Sequence, residues 1–235
     1  MLVAILLAAA PVTIASKDDL LDFRYRWSTE AAAVPGLDRR FRADAAKEKA
    51  QALQTATANR GIRQKMGTAT PGGDFFFRNW TTAGQSPRLL SLEGETSIHT
   101  GGAHPNSGTT ALLWDRRLGT PIGLDAILFR AGWWNAALTR PFCVLLDRER
   151  RKRRGEMVRR SDPFGDCPAL HELTVTLVDK DRNGRFDHAR MTADAYVAGP
   201  YAEGEYVISL PLTAAMIYRL KPEYRPSFEA QSPVQ

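Results

Sequence analysis

Cysteine and histidine are scarce in this chain, two of the first and four of the second in 235 residues. That scarcity argues against a metallohydrolase. Catalytic zinc takes about three protein ligands, and His99 and His104 have neither a familiar zinc spacing nor an evident third partner. No G-x-S-x-G, H-E-x-x-H or Cys-His nucleophile arrangement occurs. Also missing is an apolar run of about 20 residues, the length a helix needs to cross a hydrocarbon core of about 30 Å, so a stable membrane anchor is not expected. Long linkers, low-complexity tracts and internal repeats are absent, which excludes a solenoid.

What is present begins with an address. Residues 2–15 are apolar apart from Pro11 and Thr13 and give way at once to Ser16-Lys17-Asp18-Asp19, the outline of a secretory signal cleaved after Ala15. The other reading is an N-terminal helix or strand. Periplasmic or secreted placement follows from the first. Cys143 and Cys167, an even count in a chain read as exported, then predict a disulfide, whose loop closure is worth roughly 3 kcal/mol. Two buried thiols are the alternative. The net charge of +6 is densest at Arg148-Glu149-Arg150-Arg151-Lys152-Arg153-Arg154. Export leaves no nucleic acid within reach, and cations suit a solvated helix C-terminus.

At 43% apolar content the chain can fill a substantial core. Phe23, Tyr25 and Trp27 alternate with polar residues on a first strand. A helix follows Pro35-Gly36, with Leu37, Phe41, Ala45, Ala52 and Leu53 at helical spacing. After a turn at residues 70–73, strands are expected around Phe75 to Trp80, Leu90 to His99 and Gly108 to Trp114. The second half offers a short helical step at Leu124 to Phe129 and a helix broken or restarted at Pro141, with Cys143 on its first turn. Strands at Leu173 to Val178, Ala189 to Val197 and Glu205 to Leu210 and a short helix after Pro211 complete it. The order predicts an α+β fold of antiparallel sheets packed with helices, as two half-modules at 16–115 and 116–228 and a loose tail at 229–235.

One loop carries a cation motif. Asp179-Lys180-Asp181-Arg182-Asn183-Gly184-Arg185-Phe186-Asp187 reads D-x-D-x-N-G-x-x-D between two strand-like runs. Asp179, Asp181, Asn183 and Asp187, with the Arg185 carbonyl, could converge on Ca²⁺, which takes about six to eight oxygens. The acid that closes a helical EF-hand is replaced by Arg190, so the expected form is a structural calcium loop on a hairpin. The alternative is a plain Asp/Asn/Gly turn.

Thr100-Gly101-Gly102-Ala103-His104-Pro105-Asn106, Trp114-Asp115 and Leu118-Gly119-Thr120-Pro121-Ile122-Gly123-Leu124-Asp125 together resemble a paired extracytoplasmic module of bacterial envelope proteins. Its members include RsiV-like anti-sigma factors and the N-terminal part of PdaC-like peptidoglycan deacetylases. Phe142 to Gly155 and Ala198 to Thr213 extend the resemblance over most of the chain. It implies an Hsp70-ATPase-subdomain-like shape and an envelope module that binds peptidoglycan or lysozyme; a related hydrolase or deacetylase is the alternative. Gly101, Gly102, His104 and Asn106 form the candidate contact loop, although His104 could simply bond its turn. Of Trp133 and Trp134, about 100° apart on a helix, only one can face fully inward; Trp134 is taken as the surface contact.

Overall fold

The structure, a computed structural model, describes residues 10–67 and 73–231. The first nine residues of the expected leader, most of the turn at 70–73 and residues 232–235 of the expected tail lie outside the described residues. Among those described, no helix is long and apolar enough to cross a membrane.

In chain order come β1 (Val12–Lys17), β2 (Leu21–Trp27), α1 (Thr29–Ala32), α2 (Pro35–Lys65), β3 (Asp74–Gln85), β4 (Leu89–His99), β5 (Asn106–Asp115) and β6 (Thr120–Ile122). Then follow α3 (Trp133–Arg154), β7 (Thr174–Val178), β8 (His188–Ala193), β9 (Tyr206–Pro211) and α4 (Ala214–Tyr218). The strands form a sheet in the order β1-β2-β3-β4-β5-β6 and a second sheet β7-β8-β9, an α+β architecture. The chain divides into two compact units: the residues up to Thr82 with Glu95–Asn106, and Ala83–Gly94 with the residues from Ser107 onward. The divisions fall within β3, after Thr82, and within β4, after Gly94, and not at a single boundary after residue 115.

In the first unit, β2 buries Phe23, Tyr25 and Trp27 completely while its alternate residues face out, the period-two pattern of a half-buried strand. Over it lies α2, whose Leu37, Phe41 and Ala45 recur every fourth residue and are buried; Leu53, expected on that face, is 42% exposed. Trp27 Nε1 donates to Asp38 and Trp80 Nε1 to the Tyr25 hydroxyl, so the aromatic core keeps its polar atoms paired. β2 and β3 pair in parallel, Phe23 opposite Phe76 and Trp27 opposite Trp80, which departs from an all-antiparallel expectation. The reason is the intervening α1 and α2: a helical crossover returns the chain in the same direction, whereas a tight turn reverses it. β1 pairs antiparallel with β2, so Val12 to Ala15, inside the expected leader, lie opposite Arg24 to Trp27. A cut after Ala15 would strip these residues from the sheet edge.

In the second unit, α3 is one continuous helix with Pro141 inside it, not a helix broken there, and Cys143 lies well past its first turn. Trp134, Leu138, Phe142, Leu146 and Arg150 form its buried stripe at a spacing of four, while Pro141 sits on the exposed side, where the lost backbone donor disturbs no packing. The helix packs on β9 of the antiparallel second sheet. Cys143 and Cys167 form a disulfide, Cα to Cα 5.6 Å, that ties α3 to the loop before β7.

Candidate binding site

The Asp loop sits at the tip of the β7–β8 hairpin, whose last pair is Val178 with His188. The Asp179 carboxylate, nearly buried, accepts from the backbone amides of Asn183 (3.0 Å) and Gly184 (2.9 Å), which closes the loop on itself. Asp181 accepts from the Asn183 amide (3.2 Å), and Asn183 Oδ1 accepts from the Arg185 amide (2.9 Å). Asp187, 3% exposed, accepts from the Lys180 amide, and His188 Nδ1 lies 3.0 Å from its Oδ1. Gly84 of β3 lets the loop approach: a Cβ there would stand 2.6 Å from the Asp179 nitrogen.

The loop also gains an acid that the motif does not contain. Phe186 and Phe228 form a parallel bridge, the Glu229 amide donates to Phe186 O (3.0 Å), and carboxylate oxygens of Asp181, Asp187 and Glu229 come within 4.8 Å of one another. Asp179 is turned to its amide bonds instead. Residues 229–231, expected to be loose, are tied down here and by the Gln231 amide to Leu212 O.

The glycine turn lies in the first unit. Gly101 and Gly102 take φ of 93° and 123°, the left-handed side that a Cβ disfavours, and both are exposed, as is Asn106 at the start of β5. His104 is half-buried with Nδ1 3.0 Å from Pro105 O, a contact inside its own turn. Asn59 of α2 donates to Thr100 O (3.2 Å) and pins the turn's near end.

Of the adjacent tryptophans the helix turns the other way from expectation. Trp134 is 3% exposed, in the α3 stripe, and donates from Nε1 to Leu124 O (3.3 Å); it is a core residue and not a surface contact. Trp133 instead lines a cavity of about 540 Å³ with Phe129, Arg130, Tyr218, Arg219 and Arg225. Two distant segments build it. A bridge joins Leu128 to Leu220, with the Phe129 amide donating to Arg219 O and the Lys221 amide to Ile127 O. Phe129 and Tyr218 are 63% and 69% exposed. Arg225 donates to the carbonyls of Leu220 (2.9 Å) and Tyr218 (2.8 Å), and its guanidinium carbon faces the Tyr218 ring at 5.1 Å and the Phe129 ring at 5.7 Å. Arg219 lies over Trp133 at 5.9 Å. Among the described residues, no carboxylate forms a salt bridge with Arg130, Arg219 or Arg225.

Sequence reasoning missed this cavity and Glu229. A signal for the cavity existed: Phe129-Arg130 and Tyr218-Arg219 are both aromatic–arginine pairs, each beside an apolar residue that the fold buries, Leu128 and Leu220.

The dense basic run on α3 is not simply a solvated helix end. Arg150 is fully buried and donates to the carbonyls of Ala198 (2.9 Å), Asp166 (3.0 Å) and Gly165 (3.4 Å). Arg153 donates to Glu203 O and Glu205 O, both 2.7 Å, over the Tyr206 ring. Arg154 holds Glu203 in a fork (2.8 and 3.0 Å). Burial pushes the Glu203 carboxyl up, but the bonds from Arg154 and Tyr206 outweigh it and hold it below the usual range.

Taken together, the chain is a two-unit α+β domain with a hairpin-borne acidic loop and an aromatic, cationic cavity. No protein-family model and no curated protein matches it. Solved structures do: a DUF3298-family protein of Bacteroides fragilis shares the fold with a TM-score of 0.58 at 15% identity, over 92% of this chain and 95% of the other. A DUF3298-family protein of Pseudomonas aeruginosa gives a TM-score of 0.54 at 19% identity, over 95% and 98%. At such identities the likeness is one of fold, and the fold is that of a domain of unknown function.

Proposed function

We propose that the chain is an exported, envelope-associated binding module that recognises peptidoglycan through the cavity between Phe129 and Arg225. The observation that carries this reading is the meeting of three aromatic rings with three guanidinium groups that have no carboxylate salt bridge among the described residues. Peptidoglycan presents both complements, sugar rings with apolar faces and peptide stems with carboxylates. The resemblance to RsiV-like and PdaC-like envelope proteins supports the compartment, and the apolar run that begins at Leu2 supports export. Lysozyme, the other partner that the resemblance implies, and a hydrolase or deacetylase-related activity are the rivals.

Purified protein is sedimented with isolated peptidoglycan sacculi at about 0.15 M salt, where charge attraction beyond about 8 Å is screened. Retention in the pellet is the expected result. Protein left in the supernatant overturns the reading, and co-elution with lysozyme on gel filtration would then install the rival; release of soluble muropeptides from the sacculi would install the enzyme.

A structural calcium ion belongs to the same proposal. Asp181, Asp187 and Glu229 offer oxygens that already converge, and the half-closed loop adds backbone carbonyls of the kind Ca²⁺ takes. Extracellular sites bind at about 10⁻⁴–10⁻³ M, so about 5 mM Ca²⁺ should raise the unfolding free energy by about 1–2 kcal/mol over an EDTA control. Glu229→Gln should abolish that increment. Equal urea midpoints in both conditions would leave the loop a hydrogen-bonded turn.

A further inference from the structure

We infer that the Phe129–Arg225 cavity selects a saccharide bearing a free carboxylate, the muramyl-peptide unit, over the neutral sugars of the same glycan. The inference rests on the peptidoglycan reading above and adds which chemical group is recognised.

The cavity's charge points that way. Its lining holds Arg130, Arg219 and Arg225 and no acid, so a neutral ligand would leave three gathered cations uncompensated. Arg225 is held rigid by its bonds to Leu220 O and Tyr218 O, which occupy Nε and Nη2. Its Nη1 donors remain for a ligand oxygen, and a planar guanidinium fixed in advance loses little freedom on accepting a carboxylate. Arg219, resting on Trp133, supplies a second exposed cation, and Arg130 a third.

The rings decide between a sugar and a simple anion. Phe129 and Tyr218 are more than 60% exposed, and Trp133 is half-buried beside them, a concentration of apolar faces that an inorganic anion would leave wet. A pyranose has an apolar C–H face to lay on such rings, and about 540 Å³ lies within the range that encloses a ligand of this size. A phospholipid headgroup shares the negative charge but brings no flat face; it is the outcome to exclude.

The test is calorimetric titration of the full chain with muramyl dipeptide and with its methyl ester, a pair differing only in the free carboxylate. The acid should bind at least about tenfold tighter than the ester. Arg219→Gln should weaken the acid about tenfold and leave the ester unchanged, while Tyr218→Ala should weaken both, since it removes a face and not a charge. Each variant is checked by its urea midpoint. Equal binding of acid and ester, or full binding by Arg219→Gln, overturns the inference. So does binding to phosphatidylglycerol vesicles that Arg219→Gln abolishes, with no muramyl dipeptide bound. If sacculi retain the wild type and both variants equally while muramyl dipeptide does not bind, the wall reading survives at another surface and this inference fails; if sacculi retain nothing, both fail.

Discussion

Two groups of arginines in the same unit differ in how far the fold engages them. The run from Arg148 to Arg154 is the most conspicuous charge feature of the chain, yet Arg150, Arg153 and Arg154 are engaged internally with carbonyls of the 165–166 and 198–205 segments and with Glu203. Arg130, Arg219 and Arg225, scattered over almost a hundred residues, gather at one cavity with no carboxylate salt bridge among the described residues, Arg225 alone being anchored, to the carbonyls of Leu220 and Tyr218. Density of charge along a chain therefore says little about where charge is available. An arginine on the buried face of a helix must be satisfied by the fold, since an unpaired buried cation costs several kcal/mol, whereas one at the surface beside exposed rings can leave donors facing water.

That contrast can be broken most severely at Arg150. Arg150→Ala strands carbonyls of Ala198, Gly165 and Asp166 in the interior, and the unfolding free energy in urea should fall by about 3–5 kcal/mol. Arg150→Lys should recover little of this, because an ammonium cannot span the fork. An unchanged midpoint would mean that the run is a solvated helix end after all.

Next in size is the disulfide that holds the same loop. Cys143 and Cys167 are 24 residues apart, and Cys143→Ser with Cys167→Ser should cost about 3 kcal/mol by freeing the unfolded chain. Combined with Arg150→Ala the two losses should not add, since both release the same loop from α3.

Arg88 supplies an intermediate case, an arginine engaged by one buried acid. Asp115 is fully buried; burial pushes its carboxyl up, but the Leu118 amide, Arg88 and the Arg117 amide together hold it below the usual carboxylate range. A carboxyl depressed in the folded state stabilises above its unfolded value of about 3.9, and that stabilisation disappears as pH falls through the lower folded value. Stability measured from pH 5 downward should therefore drop more steeply in the wild type than in Asp115→Asn. Parallel curves for the two proteins would show that the Arg88 pair does not matter to acid sensitivity.

The smallest expected effect sharpens the comparison from the other side. Arg219→Gln should leave the unfolding free energy within about 0.5 kcal/mol of the wild type, as surface changes away from packing do. A loss comparable to that of Arg150→Ala would place Arg219 among the engaged arginines and dissolve the distinction.

Several elements were legible from local pattern because local physics decides them. Alternation of Phe23, Tyr25 and Trp27 made β2 readable, a spacing of four from Leu37 to Ala45 made α2 readable, and β7, which enters the Asp loop, follows from its β-branched run. Where Trp134 points was also written in the chain, since 134, 138, 142, 146 and 150 make one stripe; treating Pro141 as a break hid it. A proline on the exposed side of a long, well-packed helix removes one hydrogen bond without ending the helix.

By itself, then, the sequence determined the α+β class, the period of each main element, the acidic loop with its glycine turn, and a cysteine pair whose disulfide the fold closes. Tertiary structure alone decided the parallel pairing of β2 with β3, the arrival of Glu229 beside Asp181 and Asp187, and the meeting of Phe129-Arg130 with Tyr218-Arg219. The physical reason is common to all three. Periodicity reports which face of an element turns from water, but which distant segments then lie side by side depends on how those faces pack together and on the backbone bonds, such as Leu128 with Leu220 and Phe186 with Phe228, that the packing permits.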